Sequence, residues 1–477
     1  MVFNSIAFAL FLPLVFLLYW SSLIRTPGQR NTLIVLSSCF FYGWWDIRFL
    51  GLMILTAMTD YFVSRAMEQT DVRHKRKWLL FLSLFTNLGV LGFFKYFNFF
   101  AASVRELARH CGFHVDYATL NIILPIGISF YTFQALSYTI DVYYRRIKAA
   151  PDALTYMAYI SFFPQLVAGP VERAKHLLPQ FGKLAKFSAP LAASGLRLIA
   201  WGYFKKSIVA DNLSPVADAV FSAKAHPGAV AVIAGTIAFS IQIYGDFSGY
   251  SDIARGCARL FGFELVQNFR FPYFAGTMRE YWRRWHISMS GWFRDYVYFG
   301  LGGNRRGYWR GNLNMILTFL VSGLWHGANW TFVAWGGWHG IAGVIENSWM
   351  KFIRIRFPKA LRHLLLIIVT WSSYIYFRSP SFAVAHERFR SLFGQGWNFR
   401  ELPSLYPAQW PSSIYAISIL FLCLLLFGAD FFLSRNKAGL FLRMPTAVRW
   451  SVYGVFFILI MLFGVFQQPP AFIYFQF

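Results

Sequence analysis

Residues 281–339 read YWRRWHISMSGWFRDYVYFGLGGNRRGYWRGNLNMILTFLVSGLWHGANWTFVAWGGWH, and their character sets the reading of the whole chain. The first half is basic and amphipathic, with Arg279 just ahead of it and Arg283, Arg284, Arg294, Arg305, Arg306 and Arg310 inside it. From Met315 onward the stretch turns apolar and carries His326 between Trp325 and Gly327. An ionisable side chain at membrane depth is expensive, so it marks a functional site by default. Imidazole is also the side chain best matched to proton transfer near neutral pH. One reading is a catalytic histidine with a basic approach. The other is a packed histidine that hydrogen-bonds a neighbouring helix. The residues alone leave both open.

Working outward, 57% of the 477 residues are hydrophobic, 20% are aromatic and only 14% are charged. Soluble domains carry about a quarter charged residues, so the composition points to an all-α polytopic membrane protein. Lys and Arg number 45 against 20 Asp and Glu, a net charge of +25. In a soluble chain that balance would suggest nucleic acid. Here the basic residues fall in short clusters between apolar runs, the positive-inside pattern, and that context argues against a nucleic-acid partner. The clusters are expected to face anionic membrane lipid on the cytoplasmic side. Cys39, Cys111, Cys257 and Cys423 are scattered with no CxxC spacing, which suggests neither zinc nor a disulfide framework. The first 20 residues lack a basic n-region and a small-residue cleavage site, and read as a retained span.

A span needs roughly 20 apolar residues. By that measure residues 3–24, 49–67, 78–100, 228–244, 332–349, 361–377, 414–433 and 452–466 are candidate spans. Residues 31–45 are short enough to be bent or re-entrant. Residues 120–144 are expected to break at Pro125 and Gly127, and 156–171 to re-enter around Pro164 and Pro170. The expectation is about ten spans plus re-entrant segments. They form one membrane domain over 1–467, followed by a tail, 468–477. Residues 245–252, GDFSGYSD, carry Asp246 and Asp252, either as the polar lining of a cavity or as caps at a helix break.

Several chemistries fit poorly. His286, His326 and His339 lack HExxH or similar metal spacing, so no metal is expected. No P-loop is present, and GDFSG is not a GxSxG nucleophile elbow because its serine comes one place late. Broken helices and buried polar residues also suit a transporter or channel for polymer or ions, although no inverted repeat supports that reading.

Five segments carry a resemblance: LPIGISFYTFQALSYTIDVYYRR (124–146), FPQLVAGPVER (163–173), YGDFSGYSDIARG (244–256), NFRFPYFAGTMREYWRRWHISMSGWFRDYVYFGLGGNRRG (268–307) and SGLWHGANWTFVAWGGWHG (322–340). Together they resemble the membrane-bound O-acyltransferases, in the bacterial branch that acylates exported polymers such as alginate, cellulose and peptidoglycan. The chain is less similar to the membrane protein of teichoic-acid D-alanylation, which leaves D-alanyl transfer as an alternative. The resemblance implies a helical bundle with a central funnel or tunnel. It implies an acyltransferase of the cytoplasmic (inner) membrane that takes an acyl group, acetyl being the expectation, from a thioester such as acetyl-CoA, with no bound cofactor. It also implies a separate extracytoplasmic hydrolase-like acetyltransferase as partner and a polysaccharide as acceptor. Two family histidines fall on His326, the expected catalytic residue, and His286, whose role is to position the donor or support the tunnel. Trp325 and Asn329 are expected to line that tunnel with Asp246 and Asp252. His339 is expected to be structural.

A donor with several phosphate charges suits arginines, and Arg283, Arg284, Arg305 and Arg306 are the candidates, with positive-inside anchoring as the competing account. The basic cluster 435–449 should lie inside, which sends 452–466 outward and leaves the tail outside the cell. That tail, PPAFIYFQF from Pro469, holds an FxYxxF pattern from Phe472 to Phe477. The pattern resembles a motif whose tyrosine accepts the acyl group and passes it on. Tyr474 is therefore a candidate acyl relay, anchored by Phe472 and Phe477. An interfacial aromatic belt is the alternative.

Overall fold

The computed structural model describes residues 1–113, 120–167, 169–355, 357–394, 397–406, 411–435, 441, 443–466 and 470–475, and among these the chain is helical with no β-strand. The described residues form two compact units, Met1–Leu198 with Ala254–Val266, and Ile199–Ile253 with Gln267–Phe477. Among them six helices are long and apolar enough to cross a membrane: Ile47–Glu68, Arg73–His110, Ala229–Leu260, Lys359–Arg378, Ser413–Ser434 and Thr446–Phe463. Residues 3–24, expected as the first span, instead hold a helix of 14 residues, Ile6–Tyr19. At 1.5 Å per residue that is about 21 Å, short of the roughly 30 Å hydrocarbon layer. The Ser5 hydroxyl accepts the Phe8 N–H at its start, and the Ser21 hydroxyl bonds the Leu18 carbonyl at its end.

In the first unit, apolar helices meet around one acid. Asp60 is fully buried, and its carboxylate accepts from Ser83 Oγ at 2.5 Å and from Asn87 Nδ2 at 3.0 and 2.9 Å. The break expected near Pro125 and Gly127 is present. Gly127 has φ 78°, and the helix Ile128–Tyr143 starts directly after it. A Cβ on Gly127 would sit 2.7 Å from the Leu166 carbonyl oxygen, so the backbone can pass there only without a side chain. Arg76, in the basic cluster 73–77, turns inward and donates to the Val142 and Tyr143 carbonyls at 3.1 and 2.6 Å. It satisfies the last carbonyls of that helix, a role beyond topology.

The second unit is built on a helical hairpin, Tyr308–His326 and Trp330–Ser348. The two helices approach closely through Gly323 and Gly336. A Cβ on Gly323 would collide with the Phe332 carbonyl oxygen, and one on Gly336 with that of Phe319. Small residues at such crossings are how membrane helices gain packing where lipid supplies no hydrophobic drive. The hairpin turn is fixed by Asn329, whose Oδ1 caps the second helix at Thr331 N–H (3.0 Å) and whose Nδ2 donates to the Pro380 carbonyl (2.9 Å). His326 therefore sits as the last residue of one helix, against a turn with little freedom to move. Gly336→Val is expected to destabilise the protein by about 1–3 kcal/mol or more, because the obstructing atoms are backbone. A lowered detergent melting temperature would show it; an unchanged one would mean the hairpin can spread.

Candidate active site

Three residues far apart in sequence meet in the second unit. The His326 ring lies 4.9 Å from that of Trp335, 5.5 Å from Phe377 and 5.5 Å from Tyr474, all centroid to centroid. The His286 ring is edge-on to Phe247 at 4.4 Å and 6.1 Å from Tyr474. Trp325 lies between the two histidines, 5.0 Å from His326 and 6.2 Å from His286. The cluster is aromatic on nearly every side, with Tyr474 facing both imidazoles.

Local sequence explains how His286 reaches it. The helix Met278–Arg284 starts at Thr277, whose side chain accepts the Glu280 N–H, and stops at Trp285. The next helix, Ile287–Trp292, starts at His286 itself. His286 takes the left-handed conformation, φ 43° and ψ 55°. Such a conformation costs a residue with a side chain of order 1–3 kcal/mol and persists only where its surroundings enforce it. Asn268 supplies that enforcement. Its carbonyl accepts the Ile287 N–H at 2.9 Å, and its Oδ1 accepts from Ser288 Oγ at 2.6 Å. The imidazole is fully buried, and among the described residues neither ring nitrogen has a hydrogen-bond partner. Buried polar atoms are paired in the great majority of cases. A strained, buried imidazole whose nitrogens find no partner among the described residues is a candidate for contact with a substrate. His339 differs: its Nε2 is 3.0 Å from Ser373 Oγ on the neighbouring helix, as befits a packed membrane histidine.

The two acids of 245–252 are placed differently from a helix cap. Helix Ala229–Leu260 runs unbroken through both. Each acid is matched by a cation, which is why a helix can bury them: Lys206 is 2.7 Å from Asp246, and Lys205 is 2.6 Å from Asp252. Lys206 is also 2.7 Å from Asp211. The lysines, Asp211 and Phe247 are the site-adjacent residues that sequence reading left out. Two adjacent lysines in a buried segment, in a chain with so few acids, were the signal available for the ion pairs.

The four candidate donor arginines do not gather at the histidines. Arg283, Arg305 and Arg306 are exposed, and Arg284 is paired with Glu280 at 2.5 Å. A cavity of about 1250 Å³ opens in this unit, with Arg279, Lys351, Arg362, Tyr308 and Trp349 in its wall. Asn304 and Gly307, on either side of Arg305 and Arg306, also line it. Its Tyr308 end lies 18 residues along the helix from His326, about 27 Å. Asn329 is occupied as the hairpin cap already described. Phe477 lies outside the described residues, so its anchoring role has no structural description.

The sequence of the chain is similar to known proteins. The profile of the membrane-bound O-acyltransferase family matches residues 143–386. The chain is 40% identical over 417 residues to a probable alginate O-acetylase AlgI of Azotobacter vinelandii, covering 84% of this chain and 80% of that one. It is 33% identical over 427 residues to a peptidoglycan O-acetyltransferase of Helicobacter pylori, covering 83% of this chain and 80% of the other. A teichoic acid D-alanyltransferase of Streptococcus thermophilus is 27% identical over 248 residues, 49% of this chain and 59% of that one. The chain belongs to the membrane-bound O-acyltransferase family. It is a multi-pass membrane protein and an acyltransferase.

Replacing His286 tests whether its burial serves function over stability. His286→Asn keeps a residue that tolerates the left-handed backbone. It is expected to leave the melting temperature within a few degrees of wild type while reducing acyl transfer about a hundredfold or more. Unchanged transfer would make His286 a packing residue.

Proposed function

We propose that this enzyme moves an acetyl group from a cytoplasmic thioester, acetyl-CoA, across the inner membrane for O-acetylation of an exported polysaccharide. A separate extracytoplasmic hydrolase-like acetyltransferase completes delivery to the polymer. The observation that carries the reading is the convergence of His286, His326 and Tyr474 within one aromatic cluster. Acetyl as the group and polysaccharide as the acceptor draw support from the names of the alginate and peptidoglycan relatives.

In the proposed reaction His326 takes the Tyr474 hydroxyl proton as the phenolic oxygen attacks the thioester carbonyl carbon. The new C–O bond forms, the C–S bond breaks, and the departing thiolate takes the proton from the imidazolium. A phenol has a reference pKa near 10 and needs such a base at neutral pH. His286 donates a hydrogen bond to the carbonyl oxygen as charge gathers there, the role its unsatisfied ring suits. The acetyl-tyrosine then passes its acetyl group to a hydroxyl on the extracytoplasmic side, regenerating the phenol. Donor phosphates are held by the exposed arginines Arg283, Arg305 and Arg306, with Arg284 beside them, at the cavity whose wall includes Arg279, Lys351 and Arg362. In this reading the donor enters from the cytoplasmic side and the segment 470–475 lies on the other side.

Three variants test the scheme. His326→Ala is expected to lower transfer by about two to four orders of magnitude with normal expression; wild-type activity would end its assignment as base. Tyr474→Phe keeps the ring and removes only the nucleophile. It should abolish polymer acetylation together with the acetyl-tyrosine that mass spectrometry is expected to find in wild type. Normal acetylation by that variant would leave 470–475 as an anchor. Reversing Arg305 and Arg306 to glutamate should raise the KM for acetyl-CoA roughly tenfold or more at low salt and flatten or reverse the rise of KM with salt. A change confined to membrane orientation would make them topology signals.

A further inference from the structure

The segment carrying Tyr474 is held by a specific set of polar contacts. After the helix Thr446–Phe463, the chain is tied down four times to residues between Lys206 and Asp246. Asn212 Nδ2 donates to the Phe463 carbonyl at 2.8 Å, and the Val465 N–H donates to the Ser207 carbonyl at 3.1 Å. Lys206 Nζ donates to the Pro470 carbonyl at 3.3 Å, and the Ile473 N–H donates to Asp246 Oδ2 at 2.7 Å. Three of the four contacts fall on or directly after one stretch, Phe204–Ala210, a wide π-type turn of helix in which every residue is buried. Such wide turns recur at functional sites.

The electrostatics explain why the ties are specific. The Lys206 and Asp211 side chains are each 2% exposed and that of Asp246 is 4% exposed. One ammonium group thus faces two carboxylates in an apolar interior. Lys206 approaches one Asp246 oxygen, which leaves the other needing a donor, and a buried carboxylate oxygen left bare is costly. The Ile473 N–H fills that place. The lysine has proton-donating capacity left after its two acids, and the Pro470 carbonyl, on a residue with no N–H of its own, takes it. The segment and the ion group satisfy each other at two points just ahead of Tyr474. Phe472, between those points, is buried against Tyr250 at 4.5 Å and Phe247 at 5.8 Å.

We propose that Lys206, Asp211 and Asp246 form a clamp that sets the register of residues 470–475, so that Tyr474 stands between His286 and His326. Lys206 and Asp246 are positioning residues that act through Tyr474. This rests on the acyl-relay reading of Tyr474, but the clamp can be tested separately from it.

The experiment uses the full chain in nanodiscs with benzoyl-phenylalanine incorporated in place of Tyr474. Light-induced cross-linking to the peptide that contains His326 reports where the side chain sits, whatever its chemistry. In the otherwise native chain the cross-link forms. Lys206→Met is expected to lower its yield on the order of tenfold, as a buried carboxylate loses its partner. Ile473→Pro leaves the ion group intact and deletes only the N–H that Asp246 accepts. Proline is tolerated at the opening of a helical turn, and Ile473 opens the turn Ile473–Phe475. It costs one hydrogen bond and spares the buried ion pairs, so its melting temperature should fall by much less than that of Lys206→Met while the cross-link falls similarly, and the test survives if Lys206→Met fails to fold. Undiminished cross-linking in folded Ile473→Pro would overturn the clamp. A lost cross-link, alongside normal polymer acetylation by Tyr474→Phe, would uphold the clamp and dismiss the relay. An inactive Tyr474→Phe with undiminished cross-linking in Ile473→Pro would do the reverse.

Discussion

In an apolar interior every polar group must find its partner within the protein, and the architecture follows from that constraint. Asp60 gathers Ser83 and Asn87 around itself and so fixes how helices of the first unit meet. In the second unit the Tyr244 hydroxyl donates to Asp430 at 2.6 Å, linking helix Ala229–Leu260 to helix Ser412–Ser434. The Tyr281 and Tyr374 hydroxyls pair at 3.0 Å. These contacts have no competing water, so each one specifies a register as well as contributing energy. His286 departs from the pattern. Neither of its ring nitrogens has a hydrogen-bond partner among the described residues.

Much of this was legible in the sequence, for reasons that differ by residue. The class of fold followed from composition, since a chain this apolar and this poor in acids has few soluble options. The interruption at Gly127 was legible because proline and glycine act locally. The histidine pair came from motif resemblance, and chemistry alone left His326 undecided between catalysis and packing. Helix length was read less well. Residues 3–24 look like one span because hydropathy ignores the capping serines at both ends. The acids at 246 and 252 read either as the polar lining of a cavity or as caps, because Asp and Ser favour caps in isolation. Their lysine partners lie some 40 residues upstream, and no local rule reports such a pairing.

Donor recognition was the least legible feature. A run of arginines in a membrane protein serves topology and ligand binding alike, and sequence does not separate the two. The cavity wall draws on Arg279, Lys351 and Arg362, from three different helical segments, so its basic character is a property of the folded unit. The glycine contact in the hairpin has the same origin. Gly323 and Gly336 are ordinary residues in the sequence and become significant only when two backbones are brought together.

The clamp also bears on the order in which the protein is made. Its two contacts to the segment 470–475 join residues 227 and 264 positions apart. Contacts of such separation close late, because the intervening chain must be placed before they gain anything. The ribosome must deliver helices Ser413–Ser434 and Thr446–Phe463 to the membrane before Ile473 can reach Asp246. Until then Tyr474 is absent from the histidines, although both have already been synthesised. Under the proposed relay a half-inserted chain is thus unable to run the chemistry, and competence to react follows placement of the last helices.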